Sequence, residues 1–374
     1  PPAGAWAARL TVVCVVGMAF AWQIGTYKGT PYVLIILAAL ILAYSFVANR
    51  TVIGRQIYAI GGNKEAGAVT GGIGTVAGAI IGGLVMAVMN NGMSLMGIGI
   101  DYQQAIKGLV VLGAAGYGVL ISPWTWSALH GARELPPLEG ADLKNGREVF
   151  VASDCATCHA TPGQDKDTVL GGGRVLETQF GTFHMPNVSP HPERGIGKWT
   201  LAEFDRALRE GVGPGGLDGQ NLYPAFPYTS YQRLSGEDVR DLYAYMMTLP
   251  AEDDAVPEHQ LKFPFNMRRG VGLWRLAFLD GKPWQPGPVP AELSGDMAKA
   301  YQRGEYLVEG AGHCAECHSS RGFMGNVLAE SRYGGGPDTT GTGWFPNITP
   351  DETGIGFWSA ASLARYLHTG VSPI

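Results

Sequence analysis

Cys155-Ala156-Thr157-Cys158-His159 and Cys314-Ala315-Glu316-Cys317-His318 are the two stretches on which the reading of this 374-residue chain turns. In a Cys-x-x-Cys-His box, two thiols can form thioether bonds to the vinyl groups of one haem while the adjacent imidazole ligates its iron. A Cys-x-x-Cys pair alone would serve a zinc ion or a redox dithiol equally well. The histidine that follows, present both times, turns the reading towards covalently attached haem. The expectation is two haem c groups, held by Cys155, Cys158, Cys314 and Cys317, with His159 and His318 as iron ligands. The fifth cysteine, Cys14, lies in an apolar run and reads as a small buried hydrophobe.

Around the boxes the sequence repeats itself. Asn145-Gly146-Arg147-Glu148-Val149-Phe150 precedes the first box as Arg303-Gly304-Glu305-Tyr306-Leu307-Val308 precedes the second. Pro186-Asn187-Val188-Ser189-Pro190 and Pro346-Asn347-Ile348-Thr349-Pro350 follow, then Gly195-Ile196-Gly197-Lys198-Trp199 and Gly354-Ile355-Gly356-Phe357-Trp358. Apolar residues at helical spacing (Leu201, Phe204, Leu208; Leu363, Tyr366, Leu367) predict helices over 200–210 and 359–369, ending at Gly211-Val212 and Gly370-Val371. Most of these aromatics and glycines read as core and turns. Trp199 and Trp358 are the residues expected nearest the haems. Asn187 and Asn347 match glycosylation sequons, but their place in the repeat explains them better.

This half, residues 141–374, resembles the multihaem cytochrome c subunits of membrane-bound bacterial dehydrogenases. The resemblance rests on the boxes, the Pro-Asn-x-Ser/Thr-Pro turns, the Gly-Ile-Gly-x-Trp segments, Tyr223-Pro224-Ala225-Phe226-Pro227-Tyr228 and Phe263-Pro264-Phe265-Asn266-Met267-Arg268. It implies small all-α haem domains, an electron-transfer role and docking to a catalytic dehydrogenase subunit. It also implies a methionine as sixth iron ligand, in one branch at the place of Phe226 and in another at the place of Leu234; both are apolar here. Met185, Met246 and Met247 are the remaining candidates, each also readable as core. The second copy stops soon after Gly370-Val371, without a counterpart of the first copy's distal loop and of the helix over 237–248. It is therefore read as incomplete, with weak stability expected for 301–374.

The first 122 residues differ in character. Apolar runs at 10–27, 31–48, 71–90 and 106–122 approach the length that crosses a bilayer, Trp124 and Trp126 close the last, and the third is rich in glycine. Gly72-Ile73-Gly74-Thr75-Val76-Ala77 lacks the strand and βαβ setting of a dinucleotide fingerprint. The region resembles the C-terminal part of ribose/xylose-type ABC transporter permeases through Asn49-Arg50-Thr51, Gly54 to Ala66, Gly74 to Ala79, Asn90-Asn91-Gly92-Met93 and Lys107-Gly108-Leu109. In such permeases several membrane segments separate the Ala-Ile-Gly-Gly-Asn stretch from the Gly-Thr-Val stretch. Here Gly67 to Gly72 joins them directly, so an anchor is expected rather than a transporter.

The charges conflict with four spans. Arg50, Arg55 and Lys64 place loop 49–70 in the cytoplasm, and loop 91–104, with only Asp101, suits the outside. Four spans would then deliver the haem half to the cytoplasm, whereas covalent haem attachment takes place across the bacterial inner membrane. Either one run does not span, or the charge rule is violated, or the junction is not a natural one.

Charge sharpens the division: 1–140 holds seven Lys/Arg against four Asp/Glu, and 141–374 holds 20 against 28. An acidic body excludes nucleic acid as a partner. The chain is thus expected to be mainly α, with transmembrane helices over 1–122, a linker at 123–140, a first cytochrome c domain at 141–250, an interdomain linker at 251–300 and a second, truncated domain at 301–374. The expected role is a membrane-anchored dihaem cytochrome carrying electrons from a periplasmic dehydrogenase to quinone or a terminal oxidase, its haem domains on the periplasmic side. No catalytic residue is assigned; the chain reads as an electron-transfer subunit of an oxidoreductase complex. The alternatives are a haem enzyme or gas sensor with an open first haem, and a sugar permease fragment.

Overall fold

The computed structural model describes residues 76–215, 220–338 and 342–373. The apolar runs at 10–27 and 31–48, loop 49–70, Cys14 and the permease-like stretch from Asn49 to Ala66 lie outside the described residues. The chain divides into two compact units, 1–118 and 119–374.

In the first unit the described chain is helical. Helix α1 spans Val76–Leu95 and α2 spans Ile100–Leu120. Helix α1 continues past the run at 71–90 through Asn91, and α2 opens ahead of the run at 106–122 with Asp101, Gln103 and Gln104. No single described helix is long and apolar enough to cross a membrane; α2 reaches that length and hydropathy only together with the short helix after it. Leu84, Val85, Val88, Leu109, Val111 and Leu112 are nevertheless exposed.

The second unit is built on two helices that cross. Helix α4 (Leu143–Ala152) starts on Asp142, whose carboxylate accepts from the amides of Lys144 at 2.8 Å and Asn145 at 3.1 Å. It packs on α8 (Gly236–Met246), capped by Ser235. Gly146 lies at the crossing, where a Cβ would run into the Asp241 carbonyl. Helix α6 (Leu201–Glu210), with a Thr200–Glu203 capping box, adds Phe204 and Leu208 to the core of Val149, Phe150, Leu170, Ile196, Leu234, Val239 and Leu242. Between α4 and α6 lie the box helix α5 (Cys155–His159) and an antiparallel hairpin, β1 (Val175–Thr178) and β2 (Gly181–His184). The hairpin takes a third strand from β3 (Gln260–Leu261).

Residues 123–140 and 251–300 are not featureless spans. Helix α3 (Pro123–His130) begins on Pro123, which fits a helix's first turn because its missing N–H would have no partner there. Its Trp126 is buried with Tyr228, Trp274 and Leu279. Tyr228 belongs to the short helix α7 (Tyr228–Tyr231), and Trp274 to α9 (Val271–Phe278). On α9, Arg275 is 1% exposed. Its guanidinium donates to Asn221 Oδ1 at 2.9 Å and reaches the carbonyls of Glu210, Ser122 and Pro123 at 3.3–3.4 Å. Arg275→Met removes the donor to the buried Asn221 Oδ1 and the guanidinium contacts to the three carbonyls. It should lower unfolding free energy by about 3 kcal/mol in urea titration; a loss under roughly 1 kcal/mol would contradict this account of α9.

The second copy repeats the pieces without the crossing. Helix α10 (Gly295–Glu309) leads into the second box, a two-stranded hairpin follows as β4 (Gly336–Pro337) and β5 (Trp344–Phe345), and α11 (Ala360–Thr369) closes the described chain. At Gly304, the counterpart of Gly146, no atom lies within 4 Å of a built Cβ. Helix α10 instead docks on the first copy: Tyr306 is buried, donates to Asp238 Oδ2 at 2.6 Å and accepts from the Ser235 amide at 2.9 Å. Helix α11 buries none of its side chains.

Candidate functional site

Each box follows one residue in the left-handed region, Asp154 (φ 52°, ψ 33°) in the first copy and His313 (φ 38°, ψ 34°) in the second. Asp and His tolerate that region better than most side chains. The turn ends the preceding helix and starts the box. The first box is the helical turn α5; the second begins as a 3-10 turn over Cys314–Glu316, after which the His318 amide donates to the Cys314 carbonyl at 2.9 Å.

The two histidines are held identically. His159 Nδ1 lies 2.8 Å from the Pro186 carbonyl, and His318 Nδ1 lies 2.8 Å from the Pro346 carbonyl. A carbonyl only accepts, so Nδ1 carries the proton in both rings and Nε2 keeps a lone pair for a metal. Burial holds the His159 imidazole below the usual histidine range, which further favours the neutral ring, although the Pro186 contact opposes it.

The rest of the repeat fixes that carbonyl. The amides of Gly172 and Gly335 each donate to the carbonyl of the box histidine at 2.9 Å. Val188 N bonds Leu170 O at 3.1 Å, as Ile348 N bonds Tyr333 O at 2.9 Å. Asn187 Oδ1 accepts from Ser189 N at 2.9 Å, and Asn347 Oδ1 from Thr349 N at 2.8 Å, two Asx turns. Asn187 is buried and donates to the Glu252 carbonyl at 2.6 Å, so it is a turn anchor. The Gly-Ile-Gly-x-Trp segments fold back on the same turns, Ile196 N on Ser189 O and Ile355 N on Thr349 O, both at 2.9 Å. The hairpins and Gly172/Gly335 had not been expected from sequence. The signal available was the pair Gly171-Gly172-Gly173 and Gly334-Gly335-Gly336, which stand at unequal distances from their boxes.

The thiols of both boxes are available for attachment chemistry. All four are free. Burial pushes Cys155 up to about 12 and raises Cys158, Cys314 and Cys317. Among the described residues no group of His, Cys, Asp and Glu side chains is arranged to hold a bare metal ion. Beside the second box the Phe345 ring meets His318 edge to face at 5.9 Å, an apolar neighbour that suits a flat apolar group. Trp199 packs on the first core, its carbonyl accepting from Tyr243 OH at 2.7 Å.

No methionine stands at either position where the resemblance implied a sixth ligand. Leu234 is fully buried, and Phe226 packs edge-on against Tyr228 and Tyr231. Met246 is buried in the core. Met185 immediately precedes Pro186, whose carbonyl occupies the Nδ1 side of His159, opposite to the side from which Nε2 would bind iron.

The cytochrome c family model matches residues 143–250. A diheme cytochrome c-type protein of Cereibacter sphaeroides is 41% identical over 268 residues, covering 71% of this chain and 83% of that protein. The fructose dehydrogenase cytochrome subunit of Gluconobacter japonicus is 41% identical over 233 residues, 61% of this chain but 45% of that subunit, so the chain spans less than half of that relative's length. The xylose transport system permease protein of Escherichia coli is 26% identical across 169 aligned residues that take up only 30% of this chain and 43% of that protein.

Proposed function

The chain belongs to the cytochrome c family, and from that premise we propose that it is a membrane-anchored dihaem c-type cytochrome that passes electrons from a dehydrogenase catalytic subunit to quinone or a terminal oxidase. The observation that carries the reading is the identical 2.8 Å contact behind both box histidines, which prepares two Nε2 atoms in the same way.

The bound haems supply reversible one-electron chemistry at iron. The protein's part is attachment and tuning. Cys155 and Cys158, and Cys314 and Cys317, hold the two groups covalently. His159 and His318 ligate iron, and the Pro186 and Pro346 carbonyls fix ring orientation and raise ligand basicity. The dehydrogenase partner is inferred from relatives such as the fructose dehydrogenase cytochrome subunit. The anchor is inferred from the exposed apolar side chains of α1 and α2 and from the permease-like likeness, in which the direct junction from Gly67 to Gly72 argues against transport. Because haem is attached on the outer side of the bacterial inner membrane, residues 119–374 are assigned to the periplasm.

In a host that matures c-type cytochromes, the chain should remain in membranes after an alkaline carbonate wash. Its haem half should be cut by protease added to spheroplasts, and its reduced haem should be reoxidised by a soluble quinone. Haem that is protected from protease, or that never exchanges electrons with quinone or oxidase, would sink the assignment. A second reading, a gas-binding or catalytic first haem, is favoured by the apolar Phe226 and Leu234. It requires CO to shift the reduced spectrum of the first haem, and an unchanged spectrum rules it out.

A further inference from the structure

The two boxes are joined by one element of the first domain. Helix α7 sits between them, and its residues touch the lead-in of each. The Tyr231 hydroxyl donates to the Ser153 carbonyl at 2.7 Å, two residues before Cys155. The same ring meets His313, the residue directly before Cys314, edge to face at 5.5 Å. Just before Tyr231, Thr229 and Ser230 donate to Glu316 Oε1, inside the second box, at 2.5 and 3.3 Å. Tyr231 is 5% exposed.

We propose that Tyr231 and His313 form the bridge across which electrons pass between the two haem-attachment sites, with Glu316 locking the second box onto α7. The inference rests on the reading of the chain as a dihaem cytochrome. The packed aromatic pair spans the two lead-ins, and the covalent chain from Ser153 to Cys155 and from His313 to Cys314 completes the route. The exchange is balanced by itself: one electron, one oxidation and one reduction, with no proton and no bond made or broken. Tyr231 keeps its proton throughout. Burial raises its phenol well above the usual range, and the hydroxyl is committed to a carbonyl. Tyr231 is a positioning residue here, since it touches the peptides that carry the boxes.

The test uses the full haem-loaded chain, photoreduced by a flavin flash. Redistribution of the electron between the two haems is followed by absorbance, with haem content and both midpoint potentials measured on each variant. Tyr231→Leu removes the ring, and Tyr231→Phe keeps it while losing the hydroxyl. His313→Asn keeps a residue that tolerates the left-handed turn but lacks the aromatic ring. The expected result is exchange slowed several-fold in Tyr231→Leu and in His313→Asn, near wild type in Tyr231→Phe, with potentials unmoved in all three. Unchanged exchange in Tyr231→Leu and His313→Asn, at full haem content and unmoved potentials, overturns the bridge. If Tyr231→Leu does not take up haem, His313→Asn against Tyr231→Phe carries the comparison alone. Fewer than two haems on the wild-type chain would instead overturn the dihaem reading beneath it.

Discussion

Replacing Cys155 and Cys158 together with Ala should leave the chain with one covalent haem instead of two, and should cost the first domain its cooperative fold. The chemical half follows from the box, because no other cysteine is available in the described second unit outside the second box. The structural half follows from where the box sits. Cys155 and Ala156 pack against the core of Phe150, Leu170, Leu234 and Leu242, and His159 ties that core to the Pro186 turn. A haem lost from this place removes a large apolar body from the centre of a small domain, where the remaining core has little reserve. Replacing Cys314 and Cys317 should remove the other haem with a smaller effect on unfolding, since the second copy enters the main core only through Tyr306, Leu307 and Ala311 among the described residues. Haem-stained denaturing gels and intact mass give the haem count, and far-UV melting gives the asymmetry. Equal destabilisation by the two pairs would contradict this division of the core.

Gly172→Val should be nearly as damaging without touching a box. Gly172 has φ +75°, and a Cβ there would lie 2.6 Å from Asn187 N, Met185 O and the Pro186 carbonyl carbon. The left-handed backbone alone costs a β-branched residue roughly 1–3 kcal/mol. Forced repacking adds about 1–3 kcal/mol. The strain falls on the peptide that holds His159 Nδ1, so the change should also alter the first haem's reduced spectrum and midpoint potential. Gly335→Val should do the same to the second haem, since Gly335 has φ +85° and its Cβ would lie 2.6 Å from Phe345 O and 3.0 Å from Asn347 N. A stable Gly172→Val chain with wild-type potentials would show that the Pro186 carbonyl does not govern the proximal ligand. Gly163→Ala is the control: its φ is also positive, but no atom lies within 4 Å of a built Cβ.

These residues mark what could and could not be read from the sequence. The boxes, the Pro-Asn turns and the Gly-Ile-Gly-x-Trp segments were legible because each is short and recurs in order. The helices over 201–210 and 360–369 were legible because their apolar spacing and their Thr200 and Ser359 caps agree. What the Pro-Asn turn does was not legible, because its working atom is a backbone carbonyl that any residue would carry. Gly172 and Gly335 escaped notice because insertions separate them unequally from their boxes. The hairpins were too short to show alternation, with β4 and β5 only two residues each. Pro123 suits both a linker and the first turn of a helix, so the sequence does not by itself separate α3 and its buried Trp126 from a linker. Arg275, a buried cation inside a Pro-rich stretch, gave no sequence signal at all, because its partners Ser122, Glu210 and Asn221 are distant in the chain.

The central claim is that both boxes carry covalent haem on equivalently prepared histidines. The most direct measurement is the intact mass of the chain matured in a cytochrome c-competent host and then denatured in acid-acetone, read beside its pyridine haemochrome absorbance. The account predicts a chain heavier by two haems that organic solvent does not extract. A chain carrying one haem, or haem that leaves with the solvent, would contradict it.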